Sequence, residues 1–155
     1  MNSFVENNKI IGASAPANMT GAAMTAKYVS LKNYEHLTII IKSGAWAGGT
    51  AAVTLSEATD VSASGAQALG FDYQWTGTVA SGALTKTAVT SDTFNISAAN
   101  TFHVIEVDAA ELSAGFDCVT VAIASPGEKN DYYSVDYILS QPRYAQATPP
   151  TAIAD

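Results

Sequence analysis

Short apolar runs bounded by turn-forming residues are the feature that most limits how this chain can fold. The two strongest runs are residues 102–107 (FHVIEV) and 118–124 (CVTVAIA), and a polar link that contains Asp108 and Glu111 joins them. Both runs are rich in Val and Ile, which favour extended backbone, and both are shorter than an ordinary helix. The pattern therefore predicts two core strands and their connection.

Other parts of the chain repeat the pattern with apolar residues at every second position, as half-buried strands do. In residues 71–75 (FDYQW), Phe71, Tyr73 and Trp75 share one face, so we expect all three to pack in the core. The further strands that this reasoning predicts are residues 9–12, 26–31, 36–42, 50–57, 93–97 and 132–140.

The connections between these strands are rich in Gly, Ala, Ser and Thr. Residues 14–25 and 76–92 are predicted to be loops, and strands 36–42 and 50–57 are predicted to pair as a hairpin. Residues 108–112 are predicted to form one helical turn, because Asp108 at its start and Glu111 three positions later make a variant of the capping box.

Many short strands with turn signals about every ten residues predict an all-β fold, an antiparallel β-sandwich. An eight-stranded jelly roll is the architecture we expect, and another antiparallel sandwich is the alternative. A chain of 155 residues suits one domain. We assign residues 9–143 to it, residues 1–8 to an extended N-terminal arm, and residues 144–155 to an extended Pro-containing C-terminal tail.

The charge of the chain argues against several classes of partner. The formal net charge is −7 and the basic residues are scattered, whereas nucleic acids and anionic membranes bind clustered Lys and Arg. Only 14% of the residues are charged, against about 25% in ordinary domains, which favours a surface that lies against other proteins. The N-terminal residues lack the basic start and apolar run of a signal peptide.

No group of residues in the sequence has the spacing of a catalytic, metal or cofactor site, so we expect a non-enzymatic protein without cofactor or metal. His36 and His103 lie on separate predicted strands without ligand partners at short spacing, and we interpret them as solvated or hydrogen-bonded side chains. Asp108, Glu111 and Asp117 could bind Ca²⁺, but capping and a solvated acidic turn explain them better.

The thiol of Cys118 and the ring of Trp46 lead to separate predictions. The only cysteine, Cys118, lies inside an apolar strand, so a buried thiol and no intrachain disulfide are expected. Trp46 lies in the loop GAWAGG, where a large ring can be exposed. Exposed aromatic rings mark contact sites, and two interpretations remain open: contact with another protein, or docking onto its own domain.

Three stretches resemble a group of small structural proteins of tailed bacteriophages, which are encoded near the major capsid protein. They are residues 29–41 (VSLKNYEHLTIII), 102–127 (FHVIEVDAAELSAGFDCVTVAIASPG) and 143–155 (RYAQATPPTAIAD), in that order along most of the chain. The resemblance implies a virion component on the capsid surface, namely a decoration or cement protein with a small β-sandwich domain. It also implies the major capsid protein as partner.

A cement protein needs a stiff core, low surface charge and arms that contact neighbouring subunits. Weak contacts repeated over a symmetric shell add up through avidity, and self-association as a homo-oligomer is expected. The protein-contact residues that we predict are Trp46, Tyr144, Pro149, Pro150 and Ile153. The alternative is a tail- or fibre-associated adhesion module that binds a host glycan through aromatic side chains such as Trp46. A glycan hydrolase is the least favoured hypothesis.

Overall fold

Two antiparallel sheets of six strands pack face to face in the computed structural model, which describes residues 3–144 and 149–154. A short helix, α1 (Phe4–Asn7), precedes the first strand, and a 3-10 helix (Ala109–Glu111) follows the tenth. The strands are β1 (Lys9–Asn18), β2 (Met24–Thr25), β3 (Val29–Ser30), β4 (Tyr34–Ser43), β5 (Ala51–Ala58), β6 (Gln67–Leu69), β7 (Tyr73–Thr78), β8 (Leu84–Ala88), β9 (Phe94–Ile96), β10 (Thr101–Asp108), β11 (Cys118–Ile123) and β12 (Tyr132–Pro142).

The strand order confirms the predicted antiparallel sandwich and is that of a jelly roll. The front sheet runs β1-β12-β4-β10-β7-β8, and the back sheet runs β2-β11-β5-β6, with β3 beside β11 and β9 beside β5. We count β2 with β3 as strand 2 of the roll and β6 with β9 as strand 5, since each pair forms one interrupted strand. The front sheet then holds roll strands 1-8-3-6 (β1, β12, β4, β10), and the back sheet holds 2-7-4-5 (β2 with β3, β11, β5, β6 with β9). The β7–β8 hairpin is then an addition to a complete eight-stranded roll.

The core lies between the two sheets, and the predicted alternation explains how it forms. In β4 the side chains of Leu37, Ile39 and Ile41 are fully buried, whereas Thr38 and Ile40 on the other face are half-buried. β12 buries every second residue in the same way, which confirms the inward face predicted for 132–140: Tyr133, Val135, Tyr137 and Leu139. Full burial of each such aliphatic side chain contributes about 1.5–3 kcal/mol.

A hydrogen bond through this core ties the sheets together. The hydroxyl of Tyr137, on the front sheet, accepts the backbone N–H of Val121, on the back sheet, at 3.2 Å. Burial raises the pKa of Tyr137 to about 12, so the hydroxyl stays neutral. A buried aromatic ring whose polar tip is paired in this way fixes the relative position of two sheets as well as filling space.

The predicted hairpin of residues 36–42 and 50–57 is wrong, because β4 lies in the front sheet and β5 in the back sheet. The loop between them crosses from one sheet to the other. Gly49 in this loop has φ +88°, and a Cβ there would lie 2.0 Å from the carbonyl oxygen of Pro126. Glycine therefore permits a close backbone contact that makes the crossing possible.

Three other predictions of local structure also need correction. Residues 14–18, predicted to be loop, continue β1, where two register shifts accommodate Pro16 on an edge strand. The predicted strand 26–31 is reduced to β3, with β2 preceding it. Residues 76–92 are not one loop, because they contain the end of β7 and all of β8; every residue of β8 is exposed, so no apolar alternation reveals it.

The part of the C-terminal tail that the structure describes, residues 149–154, lies against the sandwich. The Tyr34 hydroxyl donates to the Pro150 carbonyl at 2.8 Å, and the Ser30 N–H donates to the Ala152 carbonyl at 2.7 Å. Ala152 is 1% exposed and joins the hydrophobic core. Residues 1–2, 145–148 and 155 of the two predicted arms lie outside the described residues.

We predict that the Ala152→Asp substitution lowers the free energy of unfolding by about 1–3 kcal/mol, since a charge at this buried position displaces the segment 149–154 from the core. Urea unfolding of the full chain measures the loss. The matched control is Ala154→Asp, at an exposed position of the same segment, for which we expect a change within about 0.5 kcal/mol. Equal stability of the two variants would contradict a structural role for the docked segment.

Candidate functional site

The β7–β8 hairpin carries four of the large hydrophobic side chains that are exposed in the described chain. Tyr73 is 50% exposed, Trp75 36%, Leu84 46% and Val79, in the turn, 71%. Cross-strand pairing places Val104 of β10 beside Trp75, and the ring of Phe102 lies over Gly77, where an added Cβ would come within 2.8 Å of it. We define the hairpin face as Tyr73, Trp75, Leu84, Phe102 and Val104.

The outward position of Tyr73 and Trp75 corrects the prediction that both pack in the core with Phe71. Only Phe71 is buried, and it precedes the first residue of β7. Within β7 it is Gln74 that points inward, because its side-chain oxygen accepts a hydrogen bond from Nδ1 of buried His103 at 2.8 Å. Since neighbouring residues of a strand alternate, burial of Gln74 places Tyr73 and Trp75 on the outside.

A groove of about 660 Å³ lies where β7 separates from β10. The two strands pair from Thr101↔Thr78 to Val104↔Trp75 and no further, whereas β4 pairs with β10 as far as Asp108. Residues 105–108 therefore have β4 on one side and the opening on the other. We call this opening the hairpin groove; Tyr73, Trp75 and Lys86 line one wall.

The hairpin groove is acidic. Four carboxylates line it, namely those of Asp72, Asp92, Glu106 and Glu111. Lys86 supplies the one ammonium group among the lining residues. In the described part of the chain, no Lys or Arg nitrogen lies within ion-pair distance of Asp72, Asp92 or Glu111. Most of the negative charge in the groove thus lacks a cationic partner among the described residues.

Lys86 contacts aromatic rings instead of carboxylates. Its Nζ lies 4.0 Å from the ring centroid of Tyr73 and 5.8 Å from that of Trp75. This is cation–π geometry, and it shows that the exposed rings of the hairpin face can hold a positive charge. Carboxylates beside aromatic rings attract cations, so the groove is suited to a cationic group.

His36 lies between two carboxylates that are far from it in the sequence, so local spacing does not reveal this cluster. Its Nδ1 lies 2.6 Å from Oδ1 of Asp108, and its Nε2 contacts Oε2 of Glu106, which also accepts the Thr38 hydroxyl at 2.8 Å. Burial alone would lower the pKa of His36, but the hydrogen bonds to Asp108 and Glu106 outweigh burial and raise it. His36 is therefore a hydrogen-bonded strand histidine, as predicted.

His103 has the opposite environment. It is 5% exposed, its ring lies 5.1 Å from that of Phe94, and burial lowers its pKa to about 4. The imidazole is therefore neutral near neutral pH, and it acts as a hydrogen-bond donor to Gln74. The prediction of a hydrogen-bonded strand histidine is confirmed here too.

The acidic residues around the central link cap and pair locally. The Asp108 N–H donates to Glu111 Oε2 at 3.0 Å at the start of the predicted helical turn. Cys118 is buried as predicted, and its S–H donates to Asp117 Oδ1 with 3.1 Å between sulfur and oxygen. Within residues 3–144 and 149–154, no His, Cys, Asp and Glu side chains are grouped so that three could hold a metal ion. No helix of the same residues is long and apolar enough to cross a bilayer.

Trp46 is half-buried and docks onto its own domain. Its Nε1 donates to the Gly49 carbonyl at 3.2 Å, and its ring lies 6.3 Å from that of Tyr133. The loop is held by the fully buried carboxylate of Asp131, whose Oδ1 accepts the backbone N–H groups of Ala47 and Gly48. Burial and the nearby Asp131 raise the pKa of Tyr133 to about 12. Of the two interpretations of Trp46, docking onto its own domain therefore describes the contacts that it makes. Contact of Trp46 with another protein stays a prediction.

The other predicted contact residues are not brought together with Trp46 into one site. Tyr144 is 66% exposed and Ile153 45%, so both are accessible. Pro149 and Pro150 are half-buried, and Pro150 accepts the Tyr34 hydroxyl. Their contact with another protein stays a prediction.

The sequence analysis missed the hairpin face and its groove. Tyr73 and Trp75 were assigned to the core, and Lys86, Glu106 and Asp92 received no role. One available signal was the polar pair His103 and Gln74, each in the middle of an apolar alternation. A buried polar residue needs a partner, and a search for such partners would have placed Gln74 inward.

Comparisons with known proteins give limited information. No protein-family model matches the chain, and no curated protein matches it. The chain is similar to the crystal structure of the SPBc2 prophage-derived protein YomS, with TM-score 0.48 and 10% identity over 86% of this chain and 92% of that one. It is also similar to a chain of the infectious bursal disease virus Gt strain, with TM-score 0.26 and 10% identity over 94% of this chain and 44% of that one. At these TM-scores neither likeness carries an argument about function.

We predict that His36→Gln destabilises the protein more at about pH 6 than at about pH 9, by less than about 1 kcal/mol because the pair is partly solvated. The folded-state pKa of His36 is raised, so the stability from its ion pairs is fully present below the unfolded pKa of about 6.5 and is lost as pH rises through the folded pKa. Urea unfolding at both pH values measures the difference.

His103→Gln is the matched control for this pH dependence. Its folded-state pKa of about 4 lies below the unfolded value, so its titration changes stability only between about pH 4 and 6.5, where stability falls as pH falls. The difference from wild type should therefore be constant between about pH 7 and 9. A His36→Gln difference from wild type that is the same at about pH 6 and about pH 9 would contradict the ion-pair assignment.

We predict that Asp131→Ala lowers the free energy of unfolding by about 2–3 kcal/mol, because two backbone N–H groups lose a buried charged acceptor. In a Trp75→Phe background, where Trp46 is the one tryptophan left, fluorescence should shift to longer wavelength at the same time, since the loop that holds the ring loosens. Urea unfolding and emission spectra measure both effects. Glu128→Ala, an exposed carboxylate of the neighbouring turn, is the control, and an Asp131→Ala variant that behaves like it would refute the anchoring role.

Proposed function

We propose that the protein is a non-enzymatic decoration (cement) protein of a bacteriophage virion, which binds the major capsid protein lattice at the capsid surface and stabilises the head. The observation that carries the proposal is the β7–β8 hairpin, which adds an exposed aromatic and aliphatic surface to a jelly roll that is already complete. An exposed apolar face on a small domain marks an interaction surface. The resemblance of residues 29–41, 102–127 and 143–155 to phage structural proteins supplies the class of partner.

The rigidity of the domain supports this function. Both sheets bury continuous apolar faces, and the C-terminal segment and the Trp46 loop are hydrogen-bonded to the body. A preorganised surface loses little conformational freedom on binding, so more of the contact energy contributes to affinity. Self-association at symmetric positions of the lattice is part of the proposal.

The second candidate function is that of a tail- or fibre-associated adhesion module that binds host glycan. Trp46 supports it weakly, because its indole N–H is already donated within its own loop. The exposed rings of Tyr73 and Trp75 beside the carboxylates of the hairpin groove are the observation that favours it. Binding on a glycan array that is lost in Trp75→Ala and retained in Trp46→Phe would support the second candidate.

We predict that the double substitution Trp75→Ala with Leu84→Ala weakens binding to capsids by at least about tenfold, because truncation of central aromatic and aliphatic contacts costs above about 1.4 kcal/mol. The assay measures occupancy of purified phage heads that were assembled without the protein and then titrated with it. Trp75 is 36% exposed and Leu84 46%, so the variant loses some packing within its own sheet, and urea unfolding of the isolated variant checks that it is still folded under the binding conditions.

Thr54→Ala, at an exposed position on the outer face of the back sheet, is the matched control and should bind as the wild type does. If the wild type does not bind heads, the proposed function is refuted. If it binds and the double variant retains full occupancy, a different surface makes the contact.

A further inference from the structure

The hairpin groove has an unused sheet edge inside it. β10 is paired with β4 along residues 102–108, but β7 leaves it after Val104. Asp108 already donates its N–H to Glu111 Oε2 at 3.0 Å, so the groove-facing side of residues 105–107 is the position where a further strand would add to the sheet. Extended peptides bind proteins in this way, with backbone hydrogen bonds giving affinity and side-chain pockets giving specificity.

The charge of the groove selects the kind of segment that can enter. Asp72, Asp92 and Glu111 have no Lys or Arg within ion-pair distance among the described residues. At the wall, Tyr73 and Trp75 already hold the Lys86 ammonium in cation–π geometry. Lys86 therefore occupies the aromatic wall, and an arginine or lysine of a partner would enter on the side of the carboxylates, which a guanidinium group can contact through paired N–H donors.

We propose that the hairpin groove binds an extended, basic segment of the partner protein, which pairs with the groove-facing side of residues 105–107 and places Arg or Lys side chains among the groove carboxylates. The inference deepens the proposed function, because it states the chemistry of the partner's contact segment. Binding of such a segment is a property of the isolated protein, so it is testable without phage particles.

The experiment uses the full chain and a fluorescein-labelled ten-residue peptide of alternating Arg and Thr, whose binding is followed by anisotropy. We expect a dissociation constant in the range of about 10–100 µM, and at least about fivefold weaker binding when salt rises from about 50 to 300 mM, since screening weakens charge contacts. The matched peptide with Glu in place of Arg should not bind. Equal binding of the two peptides would overturn the proposal.

Asp72→Asn with Glu111→Gln tests the carboxylates, and at least about fivefold weaker binding of the Arg peptide is expected. Gln at position 111 can still accept the Asp108 N–H, so the helical turn is retained. The matched control, Glu6→Gln with Glu128→Gln, removes the same charge outside the groove and should change affinity by less than about twofold. If both double variants weaken binding equally, the groove is not the site.

Two Arg peptides, N-methylated at every Arg in one and at every Thr in the other, test strand pairing, because each methylation pattern removes the backbone donors on one edge of the peptide. Loss of binding by either peptide supports pairing with residues 105–107, and unchanged binding of both overturns it. If the groove variant binds capsids as the wild type does and the Arg peptide does not bind, the inference is refuted and the proposed function is not. Peptide binding by a protein that does not bind heads supports the inference and refutes the proposed function. Glycan binding in the groove without peptide binding would overturn the inference in favour of the adhesion module.

Discussion

The surface of the front sheet depends on one buried hydrogen bond, from His103 to Gln74. Both side chains are over nine-tenths buried, and burial keeps the imidazole neutral, so the bond joins two uncharged groups. A buried amide without a partner costs about 1–3 kcal/mol, and this cost fixes which face of β7 turns inward. Tyr73 and Trp75 must then lie outside, and the hairpin face, the cation–π contact with Lys86 and the aromatic wall of the groove all follow.

Sequence patterns predicted the fold class and failed where polar residues replaced apolar ones in the core. Residues 36–42 and 132–140 were predicted correctly because their inward positions are apolar throughout. The prediction for residues 71–75 was wrong because the three aromatic residues alternate without fault, yet the regular strand begins only at Tyr73 and Phe71 lies outside it. Sheet membership also escaped prediction, since β4 and β5 look alike locally and only packing of the whole chain places them in different sheets.

The predicted contact residues show a second limit of local patterns. Trp46 and four residues of the tail 144–155 were predicted to contact another protein, because an aromatic loop residue and a Pro-containing tail suit docking. Docking onto a partner and docking onto the chain's own body bury the same kinds of atoms, so composition does not separate them. The groups that decide the matter, Asp131 for the Trp46 loop and Tyr34 for the tail, lie more than 80 residues away in sequence.

A protein that decorates a symmetric shell does not need one strong contact. The hairpin face is small, and a single basic segment in the groove would give only modest affinity, because much of the contact energy offsets the loss of translational freedom. Linked copies change this balance: once one subunit is bound, its neighbours meet the next site at high effective concentration. A rigid roll favours this arrangement, because contacts at fixed separations can be satisfied together only if the body between them does not deform. Under the proposed function, the tightly packed core is thus what allows a shallow, acidic surface to hold firmly.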